Sequence, residues 1–198
     1  MILNVINDIR NGRREALEAH LLSRRVPYRL WDAVMLPGDT VASINASHKQ
    51  IVRWAKSIDA QCVAIAEDDV FFAAPDGWKY WLSKWDQGAD IYLGANYSNS
   101  RQAYYELVPE ELAGHLYTEI IGLHCYIIRS AWYDAFLSVP DNAHIDTAQK
   151  GGLFLVPYPF AAIQSPGLSA NSKQFVDLNV NLKPEDVYGG LPDWTKEA

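Results

Sequence analysis

The sequence has few cysteines, no long apolar run and no excess of positive charge. Its two cysteines, Cys62 and Cys125, lie in separate apolar runs and lack the C-x-x-C spacing of zinc and redox sites, so both are predicted to be buried thiols. No apolar stretch approaches the roughly 18 residues that span a bilayer, and Met1 is followed by no basic leader with an apolar core. These absences predict a cytoplasmic protein without a transmembrane segment, and they leave open a peripheral position at the inner membrane.

The charge balance argues against a nucleic-acid partner. Lysine and arginine number 17 and aspartate and glutamate 24, which gives a net charge of −7, and such a surface repels a polyanion on average. The arginines are nevertheless concentrated near the start of the chain, where a local cluster could bind a phosphate group. The first 30 residues contain Arg10, Arg13, Arg14, Arg24, Arg25 and Arg29.

Apolar runs of strand length alternate along the chain with segments of helical periodicity. Strands are predicted at 2–6, 28–34, 62–66, 89–94, 123–128 and 153–158, and helices at 13–23, 43–58, 78–85 and 130–137, with Ser43 as a helix cap. The alternation predicts one α/β domain over residues 1–182, in which a mostly parallel mixed sheet is flanked by helices. Residues 95–120 show no clear pattern, and residues 183–198 are predicted to form a loosely packed tail.

Three consecutive acids, Glu67, Asp68 and Asp69, follow the apolar strand at 62–66. Adjacent carboxylates repel each other and burial raises their pKa, so the triplet is costly unless water, hydrogen bonds or a cation compensate. Because side chains alternate along a strand, Glu67 and Asp69 would point to the same side and suit one hard cation, Mg²⁺ or Mn²⁺. A solvated strand end that carries the acids by chance is the alternative.

Several segments match, in order, the characteristic segments of one family. They are V-I-N with its arginines at 5–14, S-H-K-Q at 47–50, A-I-A-E-D-D-V at 64–70, G-L-H-C-Y-I-I at 122–128 and P-F-A-A-I-Q at 159–164. Together they resemble glycosyltransferase family 25, the lipooligosaccharide type related to procollagen galactosyltransferases, or a closely related prokaryotic branch. The arginine loop departs from the family's pattern, since Gly12 stands where an aspartate is common.

The resemblance implies a single-domain GT-A fold, in which a DxD-like acidic motif binds Mn²⁺ or Mg²⁺ across the diphosphate of a nucleotide sugar. It assigns the metal to Glu67 and Asp69, with Asp69 as the direct ligand and Glu67 facing the ribose or a partner of the ligand. Asp68 would orient the donor sugar or lie behind the other two acids. A cation in this place neutralises the charge that develops on the leaving nucleoside diphosphate.

The resemblance also implies which other residues contact the nucleotide sugar. Asn7, at the end of the first strand, would bind the base or the ribose. Arg10 and Arg13 would lie near the phosphates or the base, and Ser47 would contact the donor or make an orienting hydrogen bond. For His48, which follows Ser47 on the helix, a packed helical histidine is an equal alternative.

A direct displacement needs a general base within hydrogen-bond reach of the acceptor hydroxyl. Asp146, in the segment H-I-D-T before a Gly-Gly break, is the candidate, and a simple helix cap is the alternative for it. His124 and His144 are candidates for a further metal ligand or an acceptor contact. For His124, which lies in an apolar strand, a hydrogen-bonded core histidine is the alternative.

The acidic triplet and the resemblance together predict a metal-dependent glycosyltransferase that transfers a hexose from a nucleotide diphosphate sugar to a hydroxyl acceptor. The resemblance implies that the transfer proceeds with inversion and belongs to lipopolysaccharide biosynthesis. A UDP-sugar is the expected donor, and a glycan or lipid-linked sugar is the expected acceptor. The alternative from another class is a noncatalytic module of the same fold that binds a nucleotide or a glycan. A nucleotidyltransferase has less support, because it ordinarily carries a Gly-rich phosphate loop near the first strand and here only Gly12 is present.

Overall fold

A single eight-stranded sheet organises the chain in the computed structural model, which describes residues 1–85, 88–98, 101–105, 114–168 and 174–194. The strands are β1 (Leu3–Asn7), β2 (Tyr28–Asp32), β3 (Cys62–Glu67), β4 (Val70–Phe71), β5 (Ile91–Leu93), β6 (Arg101–Tyr105), β7 (Gly114–Tyr117), β8 (Cys125–Arg129), β9 (Phe154–Pro157), β10 (Ile163–Gln164), β11 (Gly167–Leu168) and β12 (Phe175–Val176). The α-helices are α1 (Arg14–Ser23), α2 (Thr40–Ser57), α3 (Gly77–Ser83) and α4 (Tyr133–Leu137). Within these described ranges, no helix is long and apolar enough to cross a membrane.

The strands follow the order β2-β1-β3-β8-β5-β9-β7-β6 across the sheet. Three of the seven neighbouring pairs are parallel, and the pairing directions make six strands run one way while β7 and β8 run the other. The predicted mostly parallel mixed sheet flanked by helices is therefore confirmed. Strands β6 and β7 pair as antiparallel neighbours and occupy the segment that shows no clear sequence pattern.

The two faces of the sheet are covered by different helices. Buried side chains of α1 and α3 pack on one face, and those of α2 and α4 pack on the other. On the first face these residues are Leu17, Leu21, Trp78 and Trp81, and on the second they are Ile51, Val52, Ala55, Tyr133 and Phe136. Successive residues of β3 alternate between two cores, which is why this strand is an unbroken apolar run over residues 62–66. Both cysteines are free thiols on the first face, where Cys125 is buried and Cys62 is only partly buried.

Helix α2 begins earlier than predicted. Asp39 is its N-cap, and Asp39 Oδ1 accepts a hydrogen bond from the Ala42 amide at 2.9 Å. Ser43, the predicted cap, lies inside the helix, where its hydroxyl accepts from the Leu36 amide at 2.9 Å and donates to the Asp39 carbonyl at 2.6 Å. Asp39 and Ser43 both have side chains that can cap a helix. The Ser43 hydroxyl bonds to the backbone of residue 36 instead, and Asp39 is the cap.

The C-terminal segment folds back against the body of the protein over residues 183–194. The Phe160 amide donates to the Asp186 carbonyl at 2.8 Å, and the Tyr188 amide donates to the Phe160 carbonyl at 2.9 Å. The ring of Tyr188 stacks on that of Tyr80 with a centroid distance of 3.9 Å. This part of the tail is packed rather than loose. The sequence does not predict the packing, because the side chains that make these contacts follow no periodic pattern. The remainder of the tail lies outside the described residues.

Candidate functional site

The carboxyl ends of β1 and β3 open into a cleft with a volume of about 1140 Å³. The end of a mostly parallel sheet is where ligands bind in α/β folds. The lining includes Arg10, Arg13, Ser47, Glu67, Asp68, Asp69, His124, His144 and Asp146, which are nine of the ten site residues predicted from the sequence. The cleft therefore gathers residues that are spread over most of the chain.

Asn7 is the predicted residue that does not line the cleft. Its side chain is 1% exposed and shares a face of β1 with Leu3 and Val5, which pack in the core beneath α1. Among the described residues neither Asn7 Oδ1 nor Nδ2 has a hydrogen-bond partner. Its carbonyl accepts from the Ala33 amide at 3.0 Å, so Asn7 shapes the cleft through its backbone.

The three acids diverge because strand β3 ends at Glu67 and a turn follows. Glu67 faces helix α2, Asp68 faces the start of α1, and Asp69 lies beside β10. The prediction that Glu67 and Asp69 point to one side rests on a pleat that continues through the triplet, whereas β3 ends at Glu67. Glu67 and Asp69 have different hydrogen-bond partners, and Arg13 is shared between Asp68 and Asp69.

Glu67 is held by a buried histidine. His48 Nε2 lies 3.1 Å from Glu67 Oε1, and His48 Nδ1 lies 2.9 Å from the Tyr126 hydroxyl. Since a carboxylate can only accept, Nε2 carries the hydrogen of the bond to Glu67. Burial alone would raise the pKa of Glu67, but the hydrogen bond and charge of His48 outweigh it, and the pKa is lowered from its usual value. His48 is thus a packed histidine that also orients an acid of the cleft.

Asp68 anchors the loop that follows β1. Its Oδ2 accepts from the Asp8 amide and from Asn11 Nδ2, both at 2.8 Å. Its Oδ1 accepts from Arg13 Nη1 at 3.2 Å. Burial raises the pKa of Asp68 even though these hydrogen bonds oppose the shift. With both oxygens engaged, Asp68 fixes the arginine loop that leads into α1.

Asp69 is the least compensated acid of the triplet. Its Oδ2 accepts from Gln164 Nε2 at 2.6 Å and from Arg13 Nη1 at 3.4 Å. Its Oδ1 is buried and has no hydrogen-bond partner within the described part of the chain. Burial, followed by the negative charge of Glu67, raises the pKa of Asp69 to about 7. A cation beside Oδ1 would relieve both effects.

The donor set of the cleft fits a cation that the ligand helps to bind. Across the described ranges, no group of three or more His, Cys, Asp or Glu side chains is placed to hold a metal ion by itself. Mg²⁺, however, usually keeps several waters and is bound through one or two carboxylates together with substrate phosphates. Asp69, with a buried carboxylate oxygen that no described group satisfies and Glu67 close by in sequence, fits such a site.

Arg10 and Asp8 form a two-pronged ion pair at the rim of the cleft. Arg10 Nε is 2.9 Å from Asp8 Oδ1, and Arg10 Nη2 is 2.6 Å from Asp8 Oδ2. The Arg10 hydrogen bond lowers the pKa of Asp8. The Arg10 side chain is 62% exposed, so its outer edge is open to a ligand.

Ser47 is engaged with the backbone on both sides. Its hydroxyl donates to the Ser43 carbonyl at 2.7 Å and accepts from the Val34 amide at 2.8 Å. These bonds fix the segment between β2 and α2, which forms one wall of the cleft. A direct contact from Ser47 to a donor would have to use the one remaining lone pair of its hydroxyl.

Asp146 lies at the far wall of the cleft. The Gly122 amide donates to Asp146 Oδ2 at 3.1 Å, and the Thr147 amide donates to Asp146 Oδ1 at 2.7 Å.

The two candidate histidines differ in exposure. His144, two residues before Asp146, is exposed. His124 is 1% exposed, and its Nε2 donates to the Ala162 carbonyl at 3.1 Å. Burial lowers the pKa of His124, which keeps the ring neutral and committed to that carbonyl.

Gln164 and Asn179 belong to the site, although no role is predicted for either of them from the sequence. Gln164 Nε2 contacts Asp69, and the Gln164 amide donates to the Tyr97 hydroxyl at 2.8 Å. Tyr97 donates in turn to Asn179 Oδ1 at 3.1 Å, and Asn179 Nδ2 donates to the Gln164 carbonyl at 2.7 Å. The sequence signal for Gln164 is its position as the polar residue that ends the apolar run 160–163, as the acids end β3.

No protein-family profile and no curated protein matches the sequence. Among solved structures, the chain is similar to A197 from STIV, with 15% identity, a TM-score of 0.45, and coverage of 88% of this chain and 92% of that one. It is also similar to a glycosyltransferase involved in glycosylation of the major capsid of PBCV-1, with 9% identity, a TM-score of 0.41, and coverage of 68% and 62%.

A third similar structure is the catalytic domain of Drosophila β1,4-galactosyltransferase 7 in complex with xylobiose. The identity is 12%, the TM-score is 0.38, and the match covers 69% of this chain and 51% of that one. A mutant of that enzyme, at 10% identity, is described in complex with manganese, UDP-Gal and xylobiose. The chain thus spans about half of the Drosophila domain. These identities and TM-scores are too low to bear on the activity of this chain.

Proposed function

We propose that the chain is a metal-dependent glycosyltransferase that transfers a hexose from a nucleotide diphosphate sugar to a hydroxyl group of a glycan or lipid-linked acceptor. A UDP-sugar is the expected donor, Mn²⁺ or Mg²⁺ is the expected cofactor, and inversion is the expected stereochemical outcome. The ordered segments that resemble glycosyltransferase family 25 support the assignment. The environment of Asp69 in the cleft and the size of the cleft give it physical support.

The observation that carries the proposal is the Asp69 carboxylate, whose buried Oδ1 no described residue satisfies. A buried carboxylate oxygen without a hydrogen bond is costly, and a divalent cation shared with a diphosphate would offset that cost. The size of the cleft agrees with a reaction of two substrates. Its volume of about 1140 Å³ exceeds the roughly 300–1,000 Å³ of a typical pocket for one small molecule.

Each residue of the cleft has a separate task in the proposed reaction. A bound divalent cation would supply Lewis-acid stabilisation of the leaving diphosphate. Asp69 would hold that cation, and the guanidinium groups of Arg10 and Arg13 would bind phosphate oxygens. Glu67, kept ionised by His48, would hold a hydroxyl of the donor or a water of the cation.

Asp146 would act as the general base. It takes the proton of the acceptor hydroxyl while that oxygen forms a bond to the anomeric carbon of the donor sugar. The bond from the anomeric carbon to the phosphate oxygen breaks, and its electron pair leaves with the nucleoside diphosphate. Each oxygen of Asp146 keeps acceptor capacity after its one backbone hydrogen bond, so the carboxylate can receive the proton.

Calorimetric titration with UDP tests the proposal, in Mn²⁺, in Mg²⁺ and in EDTA. The wild-type chain should bind UDP at least about tenfold more tightly with a metal than in EDTA, because the cation links the carboxylate to the phosphates. Asp69→Asn should abolish this enhancement. Asp59→Asn, which removes an exposed acid at the opposite end of β3, should keep it. Absence of UDP binding in Mn²⁺ would contradict the proposal.

A noncatalytic module of the same fold is the second candidate, and one observation favours it. Both oxygens of Asp146 accept hydrogen bonds from backbone amides, as the oxygens of a structural turn residue do. Asp146→Asn separates the two functions. The enzyme should lose at least about 100-fold in transfer rate with UDP affinity unchanged, since a general base contributes that much. A binding module would show no transfer from any nucleotide sugar in the wild-type chain.

A further inference from the structure

Arg13 already occupies the carboxylates to which the proposed cation would bind. Its Nη1 lies 3.2 Å from Asp68 Oδ1 and 3.4 Å from Asp69 Oδ2. Both carboxylate side chains are 9% exposed and that of Arg13 is 27% exposed, so solvent screens these charges less than it screens a surface ion pair. The guanidinium also lies against Gly167 of β11. A Cβ atom added to this glycine would lie 2.6 Å from Arg13 Nη2.

A divalent cation and this guanidinium cannot both hold the same carboxylates at full strength. They carry charge of the same sign, and Asp69 Oδ2 is already shared between Arg13 and Gln164. Two like charges within a few ångströms repel in a partly buried site. A cation that binds Asp69 therefore weakens the hold of the triplet on Arg13.

We infer that Arg13 is an exchangeable counter-cation of the acidic triplet. It neutralises Asp68 and Asp69 while the cleft is empty, the divalent cation displaces it, and the released guanidinium then binds a phosphate of the nucleoside diphosphate. The inference rests on the proposed function and adds a cause for metal-dependent donor binding. Arg13 lines the cleft on a long flexible stem, which gives the guanidinium more than one reachable position.

Mn²⁺ binding to Arg13→Met without nucleotide tests the first step, with free Mn²⁺ measured by electron paramagnetic resonance. The variant should bind Mn²⁺ about fivefold or more tightly than the wild-type chain, because the competing charge is gone. Arg14→Met is the matched control. It removes the same charge from the next residue, whose side chain is 57% exposed and paired with Glu18, and its Mn²⁺ affinity should stay within about twofold.

UDP binding tests the second step. At saturating Mn²⁺, Arg13→Met should bind UDP about tenfold more weakly than the wild-type chain, since one charge-assisted hydrogen bond is lost. In EDTA the two proteins should bind UDP equally, because Arg13 is then engaged with the carboxylates. Arg13→Gln, which keeps a hydrogen-bond donor for Asp68, replaces the methionine variant if thermal melting shows that the latter does not fold.

The two proposals fail in different ways. If the wild-type chain binds Mn²⁺ and Arg13→Met binds it with equal or lower affinity, the exchange is wrong and the metal-dependent function stands. If the wild-type chain binds no Mn²⁺ with or without UDP, the proposed function is wrong and the exchange falls with it.

Discussion

Glu67 and Asp69 are two residues apart, yet their pKa values shift in opposite directions. The hydrogen bond and charge of His48 lower the pKa of Glu67 against the effect of burial. Burial, with the charge of Glu67 added to it, raises the pKa of Asp69 to about 7. One acid is thus kept ionised by the protein, and the other needs a cation to be fully ionised near neutral pH.

The Asp69 shift predicts how stability depends on pH in the absence of metal. An aspartate in an unfolded chain has a pKa of about 4, so between about pH 4 and 7 the folded chain holds the proton of Asp69 more often than the unfolded chain does. The contribution of Asp69 to stability therefore falls as pH rises through this window. Each unit between the two pKa values is worth about 1.4 kcal/mol.

Urea unfolding of the wild-type chain and of Asp69→Asn at pH 5 and pH 8, in EDTA, measures this effect. The amide that the substitution introduces does not titrate, so the stability of the wild-type chain relative to the variant should decrease from pH 5 to pH 8. Adding Mn²⁺ at pH 8 should stabilise the wild-type chain and not the variant. A difference between the two proteins that is independent of pH would contradict the assigned environment of Asp69.

At the scale of residues, the sequence locates the acids but not their partners. A run of three acids after an apolar strand is visible in one window of sequence, and the cleft contains all three. The prediction that Glu67 and Asp69 point to one side rests on the pleat of β3, which ends at Glu67, so it stays a prediction. The partners Asn11, His48 and Gln164 come from three distant segments, and no local pattern connects them to the triplet.

Among the elements, helix α2 carries an unusual concentration of buried polar side chains. These are Ser43, Asn45, Ser47, His48 and Lys49. The two serines bond to the backbone at residues 34 and 36, the histidine bonds to Glu67, and the asparagine and lysine bond to the turn at 139–143. Buried polar groups of this kind are stable only when they are hydrogen-bonded. One helix thereby holds Glu67, the wall between β2 and α2, and the turn that leads into the wall at 144–146.

Asn45→Ala tests this role of α2. Asn45 Nδ2 lies 3.2, 2.9 and 2.7 Å from three carbonyl oxygens of residues 140–143, and removing the amide leaves them without that donor. We expect the free energy of unfolding in urea to fall by about 1–3 kcal/mol. Gln50→Ala, which removes an exposed hydrogen bond from the same helix, should change it by less than about 0.5 kcal/mol. Equal effects would contradict the role assigned to Asn45.

For the whole molecule, the apolar runs suffice to predict the layered α/β fold. The parts of the structure that they do not predict are held by contacts between side chains that follow no periodic pattern. The strands and helices with repeated apolar positions lie close to their predicted positions. The hairpin of β6 and β7 and the C-terminal segment lack such repetition. Phe71, for example, contacts Trp194 at a centroid distance of 4.8 Å, and neither residue predicts the other.

Tyr188→Ala tests whether the C-terminal segment contributes to the fold. Tyr188 stacks on Tyr80, and its hydroxyl donates to Asp76 Oδ2 at 3.1 Å. Loss of these contacts should lower the free energy of unfolding by about 1–3 kcal/mol, measured by urea denaturation. Glu185→Ala, at an exposed position of the same segment, should change it by less than about 0.5 kcal/mol. A loosely packed tail would give the same small effect for both variants.

The measurement that bears most directly on the proposed site is an anomalous difference map from crystals soaked with MnCl₂ and UDP. We expect a manganese peak within bonding distance of an Asp69 carboxylate oxygen, with the UDP phosphates on its other side and Arg13 turned away from Asp69. Manganese and UDP bound elsewhere, or a cleft without either of them, would contradict it.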